Sequence, residues 1–154
     1  MNRTIDSAQF GPLQISPDQI LVCEEPLLGF EHLREFVLLE HPQFRPFTWL
    51  QSLESPELCF ILAEARHFGL HYDLARFAPG QQGLSTLQLR VMVILPGNEH
   101  EPIRAHKLGP IWFDGESRRF GQRVVDATQV QDGVLSPENG QDGQQAMLPC
   151  MLVE

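Results

Sequence analysis

The sequence predicts an all-β fold, a small antiparallel β-barrel or sandwich with one or two short helices. Three observations carry that prediction. Apolar residues fall in short runs bounded by Gly, Pro, Asn, Asp and Ser, as strands between turns do. Within the runs they alternate, as side chains on a pleated strand must. Convincing helical periodicity is scarce along the chain. At 154 residues the chain is long enough to bury a core. One domain is expected over residues 1–130, followed by an acidic, Gln/Gly-rich, flexible tail over 131–154.

The centre of the fold is expected at Pro46–Leu62. Two apolar runs, Phe47–Leu50 and Leu58–Leu62, are joined there by a polar link containing Ser55-Pro56. Leu58, Phe60 and Leu62 share one face of the second run, and Cys59 and Ile61 share the other. A strand apolar on both faces is one covered on both. Gln51 and Ser52 read as the place where the chain leaves the sheet.

The elements before this pair are shorter. Residues 1–9 are polar and are expected to fray. Leu13-Gln14-Ile15 reads as an edge strand, Ser16-Pro17-Asp18 as a turn, and Ile20–Cys23 as the next strand, closed by Glu24-Glu25-Pro26. Leu27–Glu31 is a loop whose Gly29 supplies a backbone shape other residues resist. Glu31–Glu35 fits one helical turn, and Phe36–Leu39 is a strand that His41-Pro42 ends.

Beyond the pair, His71–Phe77 fits a short helix stopped before Pro79-Gly80. Gln88–Leu95 is expected to be the longest strand. Leu89, Val91, Val93 and Leu95 lie on one of its faces, and Gln88, Arg90, Met92 and Ile94 on the other. Glu101–His106 is an expected edge strand, Ile111–Phe113 an apolar run before the Asp114-Gly115 turn, and Arg119–Val125 the expected last strand. Residues 126–154 hold Asp126, Asp132, Glu138, Asp142 and Glu154 and no Lys or Arg. The apolar Met147–Val153 at the end of the tail is suited to dock on the domain or on a partner.

Charge and cysteine usage narrow the function. The formal net charge is -9, from 11 basic and 20 acidic residues. Phosphate backbones require cations to displace their counterions, so direct nucleic-acid binding is disfavoured. An acidic surface suits a basic protein partner. The three cysteines, Cys23, Cys59 and Cys150, form no Cys-x-x-Cys pair, which fits a reducing compartment. No apolar run approaches the roughly 20 residues of a membrane span, and the N-terminus lacks the apolar core of a signal peptide. A cytoplasmic location is expected.

No catalytic constellation stands out. No nucleophile elbow or phosphate loop occurs. His67 and His71 would share a helical face, but Gly69 lies between them and no third ligand is near, so no metal site is predicted. Cys59 sits in an apolar run that would raise its pKa and blunt it as a nucleophile. No cofactor site is predicted. Binding is better motivated. Glu24, Glu25, Glu31, Glu35 and Glu40 cluster in one short stretch with only Arg34 against them, and the first four are the candidate partner-binding residues. Trp112-Phe113 is either core or an exposed contact patch.

From Phe10 to Val125 the order of motifs resembles the flagellar assembly factor FliW family. Pro46-Phe47-Thr48-Trp49-Leu50-Gln51-Ser52 carries the resemblance most specifically. Leu27-Leu28-Gly29-Phe30-Glu31 resembles that family's Gly-Leu-Pro-Gly-Phe loop, with Phe36-Val37-Leu38 following. Leu58–Leu62, Phe68 and Tyr72-Asp73 continue it, and Pro110-Ile111 and Gly121–Val125 resemble its late motifs. The chain departs from the pattern at Pro26 and Leu28, at His106, Lys107 and Gly109, and at Arg123. The resemblance implies a non-enzymatic cytoplasmic β-barrel, expected as a monomer. It would bind newly made flagellin and the RNA-binding regulator CsrA, and stop CsrA from repressing flagellin messages. The alternatives are a chaperone or adaptor for another secreted subunit and, less favoured, an enzyme with a dispersed metal or acid/base site.

Overall fold

The computed structural model describes residues 2–72, 87–125 and 150–153. Its strands are β1 (Arg3–Ser7), β2 (Gly11–Ile15), β3 (Leu21–Glu25), β4 (Glu35–Glu40), β5 (Thr48–Ser52) and β6 (Cys59–Glu64). They continue with β7 (Leu87–Ile94), β8 (Arg104–Ala105), β9 (Ile111–Asp114), β10 (Arg119–Gln122) and β11 (Cys150–Leu152). The helical pieces among the described residues are short 3-10 turns at Pro17–Gln19, Pro42–Phe44 and Ala65–Phe68.

Seven strands close on themselves in the order β4-β3-β10-β9-β7-β6-β5, with β5 returning to β4. The mostly-β barrel is therefore as expected. Closure removes most free strand edges. It is not wholly antiparallel, because β3 runs parallel to β10 and β11 runs parallel to β4.

Strand alternation sorts the apolar residues into three packed regions. Inside the barrel lie Leu21, Cys23, Leu27, Leu33, Phe36, Leu38, Leu50, Leu62, Ile111, Phe113 and Phe120. Phe120 stacks on Phe113 at 5.2 Å and meets Phe36 edge-on at 5.3 Å. Such aromatic pairs add about 0.5–1.5 kcal/mol beyond area burial. On one outer side the β1–β2 hairpin covers β4 and β5, burying Ile5, Leu13 and Ile15 against Val37, Leu39 and Trp49. On another, Ala65, Phe68 and Leu70 cover Leu89, Val91 and Trp112.

The β5–β6 pair is central, as its sequence indicates: Trp49 lies opposite Ile61 and Leu50 opposite Phe60. Cys59, Phe60 and Ile61 are only half-buried, however, whereas every residue of β5 is buried. Gln51 and Ser52 do not mark an exit from the sheet; they are β5 residues with no exposure. Polar character is tolerated there because the Gln51 amide is fully hydrogen-bonded, to Ser7 and to the carbonyls of Ser52, Pro56 and Leu58.

Other expectations change. Residues 3–7 are not frayed: Ile5 and Ser7 pair with β2 and face inward, which a composition reading of nine polar-looking residues missed. Glu31–Glu35 forms a turn rather than a helix, closed by the Leu33 N–H on the Phe30 carbonyl at 3.1 Å. Gly29 has φ 86°, the left-handed shape predicted for it. Leu87–Ile94 is the longest strand among the described residues, but its outgoing end is exposed at Ile94 and Leu95. The strand at 119 is not the last, since β11 extends the sheet. The tail's end is thus ordered onto the domain, while the 130/131 boundary lies outside the described residues. So does most of the His71–Phe77 helix expectation; His71 and Tyr72 themselves are not helical.

Candidate docking surface

Gln122 ends β10, and its buried amide stitches three segments together. Its Oε1 accepts the Leu28 N–H at 2.8 Å, and its Nε2 donates to the Gly109 carbonyl at 3.0 Å. Past Gln122 the β9–β10 ladder runs on, with Arg123 N–H on the Pro110 carbonyl at 3.2 Å and Val125 N–H on the Leu108 carbonyl at 2.8 Å. From the other side the Tyr72 hydroxyl donates to the Lys107 carbonyl at 2.6 Å. The loop is anchored below by buried Leu27 and by Phe30, which packs edge-on against Phe60 at 5.1 Å.

The result is a hydrogen-bonded platform with apolar side chains turned outward. Leu28 is 57% exposed, Val124 61% and Leu108 36%. A closed barrel with ample interior has no steric need to expose them, and fixed exposed apolar groups of this kind suit protein docking. Sequence reasoning singled out the loop and the late motifs separately. The buried Gln122 amide that joins them carried no local signal, because its partners are distant in sequence.

The structure divides the candidate glutamates. Glu24 is exposed at the end of β3. Glu31 is exposed in the loop, where its own backbone N–H and then that of Gly29 hold its pKa below the usual carboxylate value. Glu25 is engaged: its Oε1 accepts from Trp112 Nε1 at 2.7 Å and from Arg123 Nη2 at 2.7 Å, with Arg123 Nε 3.3 Å from Oε2. Glu35 pairs with Arg3 at 2.7 Å. Arg3 and Arg123 arrive from the two ends of the barrel sequence, so local charge counting could not see them. Of the four, Glu24 and Glu31 keep their charge open.

Glu54 was not anticipated. It accepts the backbone N–H groups of Arg34 and Glu35 at 2.6 and 2.8 Å, pinning the start of β4. Burial pushes its pKa up, but the hydrogen bonds from Glu35 and Arg34 outweigh this and leave it below the usual 4.5. A lowered folded-state pKa contributes stability that is whole above the unfolded value and fades as pH falls through the folded one. Glu54→Gln should therefore flatten the loss of stability below pH 4.5, read from urea melts across the acid range.

The remaining candidates resolve simply. Trp112 and Phe113 are fully buried, on the outer and inner faces of β9, so they form no exposed patch. His67 lies in the 3-10 turn Ala65–Phe68, but Gly69 ends that turn with φ 68°, so His71 does not share its face. No group of metal-ligating side chains occurs among the described residues. Burial pushes the Cys59 thiol up to about 12 and the Cys23 thiol up to about 11, leaving both protonated and inert at neutral pH. No helix among the described residues is long and apolar enough to cross a membrane.

Comparison with known proteins adds the family. The model of the FliW protein family matches residues 4–132. The flagellar assembly factor FliW of Leptospira interrogans serovar copenhageni is 32% identical over 124 residues, spanning 76% of this chain and 81% of its own. That of Syntrophotalea carbinolica is 27% identical over 135 residues, spanning 84% of this chain and 94% of its own. A crystal structure of the flagellar assembly factor FliW superposes with a TM-score of 0.71, covering 86% of this chain and 96% of that one. At 24% identity this last likeness speaks to the fold alone. The barrel, its motifs in order and these matches together place the chain in the FliW family of flagellar assembly factors.

Proposed function

We propose that this protein is a cytoplasmic partner switch in flagellar assembly. It binds newly made flagellin, and it binds the translational regulator CsrA and keeps it from repressing flagellin messages. The observation that favours a docking role is the stitched platform with Leu28, Leu108 and Val124 turned to solvent, with Glu31 exposed in the same loop as Leu28 and Glu24 exposed at the end of β3. A net charge of -9 complements a basic RNA-binding protein and opposes RNA at the same place. Competition of two ligands for one small domain is sufficient for switching.

The direct test is calorimetry with purified flagellin and purified CsrA, each alone and then in competition. Binding of both is expected; binding of neither removes the reading, and co-purification from a flagellated host then identifies the secreted subunit it serves instead. The double variant Glu24→Lys/Glu31→Lys should weaken CsrA binding about tenfold and flatten its salt dependence, since two rim charges are reversed. Unchanged affinity at low salt would retire these residues from the interface.

A further inference from the structure

The barrel interior is apolar until one end, where the inward positions of β5, β6 and β7 become Thr48, Glu64, Gln88 and Arg90. Arg90 is only 6% exposed. Its Nε donates to Gln88 Oε1 at 2.6 Å and its Nη1 to Thr48 Oγ1 at 2.7 Å, both neutral acceptors. Gln88 Nε2 donates in turn to Glu64 Oε1 at 2.9 Å. The other Glu64 oxygen accepts from Arg66 Nε at 2.5 Å and lies 3.8 Å from His67 Nε2. Thr48, Glu64, Arg66, His67 and Arg90, with Glu40 and Arg45, line a cavity of about 330 Å³; Gln88 stands behind Arg90.

The charges of this cavity do not balance. Glu40 is paired with Arg45, and Glu64 with Arg66. Among the described residues Arg90 has no carboxylate within ion-pair distance and its Nη2 has no hydrogen bond; the Glu64 and Glu40 carboxylates act on it only from farther off, each already engaged by another arginine. Arg66 Nη1 is buried and also without an acceptor. A guanidinium held this deep with only neutral groups in hydrogen-bond contact is costly unless an anion completes it. The excess of positive charge is notable in a chain of net charge -9.

We propose that this cavity binds a small oxyanion, a carboxylate or a phosphoryl group, with Arg90 as the buried fork and Arg66 as the second donor. Planar guanidinium groups match both oxyanions with paired N–H donors, and the low-dielectric end of the barrel strengthens the attraction. The volume admits such a group at the tip of a larger molecule. The site lies at the β5–β6–β7 end of the interior and shares no residue with the Gln122 platform.

The test is a titration of the full-length, isotope-labelled protein followed by the arginine Nε–Hε resonances, at constant ionic strength. Inorganic phosphate and acetate are added in separate arms, with chloride as control. Saturable shifts of the Arg90 and Arg66 signals in either arm are expected. Saturation by phosphate alone assigns a phosphoryl ligand; saturation by acetate assigns a carboxylate. Arg66→Gln should weaken the effect about tenfold or more. The same anion should raise the unfolding temperature of the unmodified protein above the chloride control, a readout that needs no variant. Shifts that never saturate, or that chloride reproduces, would overturn the proposal.

Discussion

Gln51→Ala should lower the unfolding midpoint by about 6–12 °C, from a loss of ~3 kcal/mol. Gln51 lies fully buried on the outer face of β5. Its Oε1 accepts from Ser7 Oγ at 2.8 Å, and its Nε2 faces the carbonyls of Ser52, Pro56 and Leu58 at 2.9, 3.0 and 3.2 Å. Ser7 Oγ also accepts the N–H groups of Gln9 and Phe10, which shape the β1–β2 turn. One amide thus ties the hairpin to the barrel and fixes the β5–β6 connection. Truncation strands buried acceptors, and their lost partner costs more than the hydrogen bonds themselves contribute. Gln51→Glu should do no better, because it loses both donors and buries a charge. Thermal melts within about 2 °C of the parent for both variants would remove this role from Gln51.

Gly121→Ala should cost about 3 kcal/mol, at the top of the usual range for overpacking. A β-carbon at 121 would stand 2.6 Å from Glu25 Cβ and 2.8 Å from Glu25 N. Those atoms belong to the parallel β3–β10 pairing, where the register shifts between Phe120 and Gly121, and backbone cannot yield as a flexible side chain does. Movement of β3 would also pull Glu25 from Trp112 and Arg123 and disturb neighbouring Gln122. The variant is expected to lose partner binding along with stability. Gly97→Ala is the control, since its nearest atom is Glu101 Oε2 at 3.8 Å. Melting both proteins and measuring binding of the proposed partners, flagellin and CsrA, at a temperature where each is folded separates the two effects. Equal melting temperatures would show that β3 and β10 can part without cost.

The strands were legible because the barrel is built from short alternating runs, and β4 through β7 lie within a residue or two of their expected places. What escaped has one physical cause: polar residues whose partners are far away in sequence. Gln51 reads locally as a strand end, yet it is buried because Ser7, 44 residues away, meets it. Arg90 appeared simply as one member of an alternating strand, and only the closed ring shows that it faces inward beside Thr48. Glu25 and Glu35 appeared available until Arg123 and Arg3 came to meet them. β2 falls on the edge strand expected at Leu13–Ile15, but its partner β1 was missed for the opposite reason, since Ile5 alone gave too little apolar signal to announce a strand.

The parallel seat of β11 has its own corollary. β3 pairs with β4 only at Glu35 and Phe36, so Leu38, Leu39 and Glu40 would otherwise present a bare row of amides beside apolar side chains. Cys150–Leu152 fills that row, and Val153 continues it with its N–H on the Glu40 carbonyl at 2.9 Å. Clipping these residues would leave a sticky ledge, ready to template a foreign strand and clump the protein. The segment that covers this edge lies beyond the 4–132 span matched by the family model.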